Sequence, residues 1–242
     1  PMARLCKRLI RDEPELDANL KPKHLDVTAL DTPTLALANA ARETLRIGDA
    51  TEQMLDGLKK VMHGEPREEK NLRKQEDDIN VLYTAIKLYL ARMPKDELAE
   101  EESRRWAEII EMSLNLEQAS DIIERMGSEI ADKSLAARRA FSVEGLKELE
   151  ALYELLLSNL QLAMSVFFAG DVTSARRLRR SKHRFRILNR RYAHAHVDRL
   201  HQQNVQSIET STLHLALLGD MLRLNSLFCS VAYSVLEQPD ED

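Results

Sequence analysis

Residues 34–66, TLALANAARETLRIGDATEQMLDGLKKVMHGEP, decide the fold class of this 242-residue chain. Apolar and small side chains recur in this stretch at three- and four-residue steps, a spacing that places them on one face of an α-helix. They are Leu35, Ala38, Ala41, Leu45, Gly48, Leu55 and Leu58. The pattern stops at His63-Gly64-Glu65-Pro66, where glycine and proline favour a turn. We therefore predict a first helix that begins near Thr34 and ends at this turn.

Five further segments show helical spacing and end at turn-forming residues. They run from Glu68 to Met93, from Pro94 past Asp132, from Ser142 to Gly170, from Asp171 to about Arg199, and from Val205 to Leu236. Ser142 is a predicted N-cap, because a serine oxygen at that position accepts hydrogen bonds from the first turn. Six long helices joined by short turns predict an all-α protein made of antiparallel bundles.

The order of the six predicted helices indicates an internal repeat. The turn His63-Gly64-Glu65 after the first helix resembles the turn Ala169-Gly170-Asp171 after the fourth. In both halves, a long helix, a charged helix and another long helix follow in sequence. We therefore predict an N-terminal arm or linker at 1–32, a first three-helix bundle at 33–139 and a second three-helix bundle at 140–242.

The composition excludes several classes of protein. Cys6 and Cys229 are the only cysteines, which is too few for a disulfide framework or a four-cysteine zinc site and fits a reducing compartment. The longest apolar stretch, residues 160–170, is shorter than the roughly 20 residues of a membrane span, so we expect a soluble chain. Only 7 glycines are present, and no nucleophile motif or phosphate-binding loop is visible. We expect no catalytic residue and no enzymatic activity.

A strongly basic helix contrasts with an acidic remainder. Residues 171–201 contain ten Arg or Lys and two Asp, about +8, which leaves about −13 for the rest of a chain whose net charge is −5. The candidates for anion or membrane contact are Arg176, Arg177, Arg179, Arg180, Lys182 and Arg184. Anionic lipid, an acidic partner, phosphate groups, pairing with the acidic first half and a merely solvated helix all remain open. Nucleic acid is disfavoured, because the basic residues occupy one element with few aromatic residues among them.

Three carboxylates share one face of the third predicted helix. Glu117, Asp121 and Glu124 are spaced i, i+4 and i+7, so they repel one another unless a cation, an arginine or water intervenes. Oxygen-rich clusters between bundle helices suit Mg, Ca, Mn or Fe. The first two helices offer further carboxylates, namely Glu43, Asp49, Glu52, Glu76, Asp77 and Asp78. The alternative is a solvated acidic helix face, which is common in a chain with 40 Asp and Glu residues.

Four stretches together resemble a known family. They are LALANAARETLRIGD (35–49), YTAIKLYL (83–90), LEQASD (116–121) and STLHLALLGD (211–220). These stretches are similar to the PhoU-like domain, in the version fused C-terminally to the membrane domain of bacterial sodium/phosphate cotransporter family proteins. The likeness spans about residues 30–237. It implies two tandem three-helix bundles and a repeated Glu/Asp-x-x-x-Asp motif, which in some members holds a divalent metal or an iron cluster.

The motif copies in this chain are uneven. Glu117 and Asp121 fit the motif, whereas Glu76 is followed by Asn80 in place of the second acid. Asp220 fits its position, but Ala216 stands where the first acid is expected. The metal ligands implied by spacing and resemblance together are Glu43, Asp49, Glu76, Glu117, Asp121 and Asp220.

The resemblance implies a role in phosphate transport. The leading hypothesis is a regulatory domain of a sodium-dependent phosphate transporter, on the cytoplasmic face of the inner membrane. Its partner would be a membrane transporter domain N-terminal to Pro1, and the sequence leaves open whether the chain also forms a homodimer. The alternative is a free-standing PhoU-type regulator of phosphate uptake and signalling that binds partner proteins. A third hypothesis, a metalloenzyme that uses the Glu117, Asp121 and Glu124 face, has the least support.

Overall fold

A computed structural model describes residues 21–94, 98–132 and 141–237, and all regular secondary structure in these ranges is helical, as predicted. Cys6 and the predicted bundle boundary at 139–140 lie outside the described residues. A short 3₁₀ helix, Val27–Ala29, precedes the α-helices. The α-helices are α1 (Pro33–Met62), α2 (Glu68–Leu90), α3 (Glu100–Ile130), α4 (Val143–Ala169), α5 (Val172–His201), α6 (Val205–Glu209), α7 (Ser211–Phe228) and α8 (Val231–Leu236).

Helices α1, α2 and α3 pack against one another as the first bundle. Pro33 occupies the first turn of α1, where its fixed φ suits a helix and its missing N–H leaves no bond unmade. Gly64 has a φ of +93°, a left-handed conformation that glycine adopts without strain, and it reverses the chain between α1 and α2. The bounds of α2 agree with the sequence prediction.

The buried face of α1 differs from the predicted one. Leu35 is 51% exposed and Ala38 is also exposed, so the N-terminal part of the predicted stripe is wrong. Ala36, Leu37 and Ala40 are buried instead. The first turns of α1 carry alanine or leucine on every side, so spacing alone does not distinguish the inner face there.

The apolar stripe of α3 is confirmed. Ile109, Leu116, Ile123 and Ile130 are all buried in the core. They recur every seven residues, which returns to nearly the same side of a helix. This inward stripe fixes the rotation of α3, and it thereby places Glu117 and Asp121 beside the core rather than inside it.

The second bundle comprises α4, α5 and the segments α6 to α8. Ser142 caps α4 as predicted, since its Oγ accepts a hydrogen bond from the Gly145 N–H at 3.2 Å. Gly170, with a φ of +64°, ends α4 in the left-handed conformation that helix C-termini favour. The Asp171 carboxylate then accepts from the Thr173 and Ser174 N–H groups and caps α5.

The prediction of one long helix over 205–236 is wrong, because three segments occupy that range. Thr210 separates α6 from α7, and its hydroxyl donates to the Gln206 carbonyl at 2.8 Å, a bond that competes with regular helix geometry. Cys229 and Ser230 separate α7 from α8. The Ser230 Oγ accepts from Asn115 Nδ2 on α3 at 2.7 Å, so a contact with the first bundle holds this break.

The two bundles share one continuous hydrophobic core. Helix α4 packs against α1, and α7 packs against α3. Polar contacts reinforce the junction: the Tyr153 hydroxyl donates to Asp56 at 2.8 Å, and Arg125 pairs with Asp220 at 2.7 Å. The halves are therefore joined along two pairs of helices rather than by a linker alone.

Two segments are long and apolar enough to span a membrane by length and composition, which the count of uninterrupted apolar residues missed. They are Val143–Ala169 and Ser211–Leu236, and 44% and 50% of their most apolar windows are buried inside the protein. Both segments contribute the inner side of the second bundle, where α4 and α7 face each other. Packing in a protein core accounts for much of their apolar character.

Candidate functional site

Helices α2 and α3 bring several carboxylates together at the surface of the first bundle. The carboxylate cluster consists of Glu76 on α2 with Glu117, Asp121 and Glu124 on α3. Asn80 donates a hydrogen bond to Glu76, and Glu76 and Asp121 are hydrogen-bonded to each other. The prediction that α2 supplies a carboxylate to the Glu117 and Asp121 face agrees with this arrangement.

Burial and like charge favour a proton on Glu76. Partial burial is the largest cause that raises the pKa of Glu76 to about 7, followed by the negative charges of Asp121, Asp77 and Glu124. At neutral pH this carboxyl is therefore protonated in about half of the molecules, and the protonated form donates its hydrogen bond to Asp121.

Neighbouring charges modulate the rest of the cluster. The pKa of Glu117 is also raised, first by burial and then by Asp121, while Lys87 opposes the shift. Arg73 Nε lies 3.5 Å from Glu124 Oε1, close enough for an ion pair but long for a hydrogen bond. The cluster thus carries more negative charge than the adjacent cations offset, and protonation is one way to relieve the repulsion.

The other predicted metal ligands lie elsewhere. The buried Glu43 carboxylate pairs with Arg46 and accepts from the backbone N–H groups of Lys23 and His24 at 3.0 and 2.9 Å. Glu43 therefore holds the N-terminal arm on the bundle. Asp49 is exposed on α1, and Asp220 accepts from Arg125 on α3.

The carboxylates do not fit a resident metal centre in this arrangement. Across residues 21–94, 98–132 and 141–237, no three His, Cys, Asp or Glu side chains converge in a way that could hold a metal ion. Asn80 supplies a neutral donor to Glu76 where the motif requires an acid, and protonation of Glu76 lowers the negative charge that would attract a cation. Metal binding stays a prediction from sequence and resemblance.

The basic residues of α5 form a second candidate surface. Eight arginines of this helix are exposed. They are Arg176, Arg177, Arg179, Arg180, Arg184, Arg186, Arg190 and Arg191. Lys182, predicted to belong with them, lies toward the bundle instead, with its Nζ 4.6 Å from the centre of the Tyr233 ring.

The described part of the chain pairs none of these eight arginines with an acid. Arg186 Nη2 lies 3.3 Å from His183 Nδ1, which is a contact within the same helix face. The described residues therefore give no support to the alternative in which α5 pairs with the acidic first half.

Sequence reasoning missed a buried polar network in the second bundle. Arg199 donates to both carboxylate oxygens of Glu148, at 2.9 and 2.7 Å. Beside this pair, the rings of His196 and His214 stack with their centres 4.5 Å apart. The one available signal was the placement of His196 and Arg199, three residues apart, on the apolar side of α5. Because the network joins α4, α5 and α7, its contribution is to the packing of this bundle.

Most of the first bundle matches the model of a known protein family. Residues 44–130, from the middle of α1 to the last residue of α3, match the family model described as the PhoU domain. Residues 44–130 therefore form a PhoU domain. The carboxylate cluster lies inside the matched residues, whereas the exposed arginines of α5 lie outside them.

Several curated proteins match this chain over its whole length. It is 89% identical over 242 residues to the candidate inorganic phosphate export protein YjbB of Escherichia coli and to that of Shigella flexneri. It is 90% identical over 241 residues to the protein of the same name from Salmonella typhimurium. The chain spans 45%, 45% and 44% of the lengths of these proteins, so less than half of each is represented.

Solved PhoU structures extend the likeness in fold beyond the matched domain. The crystal structure of PhoU from Pseudomonas aeruginosa aligns with a TM-score of 0.72 at 14% identity, and it covers 83% of this chain and 95% of that one. The phosphate transport system regulatory protein PhoU from Streptococcus pneumoniae aligns with a TM-score of 0.73 at 16% identity, covering 85% and 95%. At such identity the likeness concerns the fold, and the PhoU arrangement includes the second bundle as well as the matched domain.

Proposed function

We propose that this chain is the regulatory part of a membrane protein that moves inorganic phosphate across the bacterial inner membrane. The observation that carries the proposal is the 89% identity, over the whole chain, to the candidate inorganic phosphate export protein YjbB, of which the chain spans 45%. The PhoU domain in residues 44–130 supports a regulatory role. The domain lies on the cytoplasmic face and acts by contact with the membrane part of the same protein.

The direction and the coupling of transport are finer parts of the proposal. The names of the relatives favour export of phosphate rather than uptake. The sequence resemblance to sodium/phosphate cotransporter proteins favours sodium as the coupling ion. Both are testable by measuring phosphate movement in each direction with and without a sodium gradient.

The domain regulates by binding and conformational change rather than by catalysis. Burial and neighbouring carboxylates raise the pKa of the partly exposed Glu76 to about 7, which makes the carboxylate cluster responsive to protons in the physiological range. A cluster that changes charge near neutral pH can bias the packing of α2 against α3. We infer that this surface, rather than a catalytic cleft, contacts the membrane part.

A deletion in the complete protein tests the proposal. Cells that lack their own phosphate exporters would express the complete coding sequence, or the same sequence without residues 30–237, and the movement of labelled phosphate would be followed in both directions. We expect the deletion to change the rate of phosphate movement, or its response to phosphate supply, at equal abundance of protein in the membrane. Unchanged uptake, efflux and regulation would refute the proposal.

A free-standing regulator remains the second candidate, because this chain aligns with 95% of each solved PhoU chain. The coding sequence upstream of Pro1 discriminates between the two. Several apolar spans of about 20 residues there support the membrane protein, whereas a start codon at Met2 supports the free-standing regulator.

A further inference from the structure

The outward side of α5 is a continuous basic surface. We define the arginine face as the eight exposed arginines named above, together with His183, Ile187 and His194. No acidic residue occurs between Val172 and Val197, so no carboxylate of α5 itself interrupts this surface. The opposite side of α5 is fixed in the core by Leu178 and Phe185, which are fully buried. The arginine face therefore has a defined orientation away from the bundle.

Within the described ranges, no carboxylate pairs with a charge of the arginine face. Elsewhere in the described residues, Arg73, Arg125 and Arg199 each pair with an acid on another helix. On α5, by contrast, Arg176, Arg180 and Arg184 follow one another at i, i+4 spacing, where like charges destabilise a helix by a few tenths of a kcal/mol per pair. A charge pattern that weakens its own helix is consistent with an external anionic partner.

The shape of the arginine face suits an extended surface better than a small ligand. The described residues that line its groove of about 590 Å³ all belong to α5, between Arg179 and Arg191, so no second helix of the described ranges encloses it. From Arg176 to Arg191 the face is roughly 22 Å long, at 1.5 Å per residue. An open strip of this length can contact several phosphate groups side by side, and the planar guanidinium groups can each bind a phosphate through two hydrogen bonds.

The composition of the face favours lipid headgroups over a protein partner. Protein interfaces concentrate aromatic anchors in a desolvated centre. The arginine face offers Ile187, 52% exposed, as its one large apolar side chain, and its aromatic neighbours Phe185 and Tyr192 are turned inward. Clusters of basic residues beside a membrane bind anionic lipids by charge.

We propose that the arginine face docks on the anionic phospholipid surface of the membrane. This inference rests on the proposed function insofar as that function places the chain at the cytoplasmic face. Because α5 stays packed in its bundle, the contact is electrostatic and lies at headgroup level, without insertion of the helix. It holds the second bundle against the membrane and leaves the carboxylate cluster of the first bundle available to the membrane part.

Co-sedimentation of the 242-residue chain with vesicles tests the docking. The vesicles contain phosphatidylcholine alone or phosphatidylcholine with phosphatidylglycerol, each at low and at high sodium chloride. We expect binding to the anionic vesicles only, and we expect high salt to weaken it, since exposed charges are screened. Equal binding to both kinds of vesicle, or no binding to either at low salt, would overturn the proposal.

A matched pair of variants localises the effect. The test variant carries Arg180→Gln, Arg184→Gln and Arg191→Gln on the arginine face. The control variant carries Arg67→Gln, Lys70→Gln and Arg92→Gln, three exposed positions away from α5 with the same change in net charge. Each basic residue near an anionic surface contributes about five-fold in affinity, so the test variant is expected to bind on the order of 100-fold more weakly. The control variant is expected to bind nearly as well as the parent chain, and an equal loss in both variants would overturn the proposal.

Two additional measurements separate lipid from other anions. If inorganic phosphate releases the chain from vesicles more effectively than sulfate at the same ionic strength, free phosphate is the ligand and the lipid proposal fails. If sedimentation velocity shows self-association that the test variant loses while its vesicle binding stays intact, the face binds a second copy and the lipid proposal again fails. Neither result depends on phosphate transport, so failure here is distinguishable from failure of the proposed function.

Discussion

Replacing Asp121 by Asn is expected to stabilise the first bundle at alkaline pH. After burial, the negative charge of Asp121 is the largest cause of the raised pKa of Glu76. The substitution removes that negative charge and keeps a side chain that can donate a hydrogen bond to Glu76. Ordinarily, the loss of a charged residue from a hydrogen-bonded site destabilises a protein, so the sign of the effect is diagnostic.

The magnitude follows from the pKa of Glu76 in the folded and unfolded states. A pKa that rises from 4.5 to about 7 on folding corresponds to a penalty of at most about 3.4 kcal/mol above pH 7. Because Glu76 is partly exposed, solvent screening reduces this figure, and we expect the Asp121→Asn variant to recover about 1 kcal/mol. The folded state holds the proton more tightly than the unfolded state, so this penalty is absent below pH 4.5 and is complete above pH 7.

Urea denaturation of the 242-residue chain at several pH values between 5 and 8 measures the effect. The difference in unfolding free energy between Asp121→Asn and the parent chain is expected to be small at pH 5 and to grow as the pH rises. Glu111→Gln, an exposed change of the same charge on the same helix, serves as the control and is expected to show little growth with pH. A less stable Asp121→Asn variant at pH 8, or a difference that does not change with pH, would show that charge repulsion from Asp121 does not raise the pKa of Glu76.

Three further predictions concern the second bundle. Burial is the main cause that lowers the pKa of His214 to about 3, from 6.5 in the unfolded chain, so the unfolding free energy falls as the pH drops below 6.5. Between pH 7 and pH 5 the expected loss is about 2 kcal/mol. A His214→Gln variant is expected to lack this loss in urea titrations. Arg199→Ala leaves Glu148 without its two hydrogen bonds from Arg199, so it is expected to lower the unfolding free energy by about 3 kcal/mol. A loss below about 1 kcal/mol would contradict a buried ion pair. Ser142→Ala removes the N-cap of α4 and is expected to lower the unfolding free energy by about 1 kcal/mol. Ser142→Asp is expected to retain the parent's stability, because aspartate also caps helices.

The helices were predictable from sequence because their ends have local causes. Gly64 and Gly170 adopt the left-handed conformation, and Ser142 and Asp171 cap the helices that follow them. Each of these signals depends on residues within one turn of the helix end. The seven-residue stripe of α3 was equally local, so its inward face was predicted correctly.

Features that depend on partners distant in sequence were not predictable in the same way. The break at Ser230 is held by Asn115, and the pairing of Asp220 with Arg125 crosses between the bundles. Glu43 was predicted to be a metal ligand, yet its carboxylate accepts hydrogen bonds from backbone N–H groups of the arm some twenty residues away. Spacing along a helix gives the direction of a side chain, but its partner depends on how the helices pack.

The carboxylate cluster was predictable only in part from the sequence. The i, i+4, i+7 spacing of Glu117, Asp121 and Glu124 predicted one acidic face, and the structure adds Glu76 from α2. The sequence could not predict that Glu76 takes a proton near neutral pH, because that property depends on burial and on charges from two helices.

The response of phosphate efflux to the internal phosphate load shows whether this chain regulates transport. Cells expressing the complete protein, with or without residues 30–237, would be loaded with labelled phosphate over a range of concentrations, and the initial rate of efflux would be measured. We expect efflux from the complete protein to depend on the load in a regulated manner, and we expect the deletion to alter this dependence at equal membrane abundance. Superimposable curves for the two proteins would contradict a regulatory role for this chain.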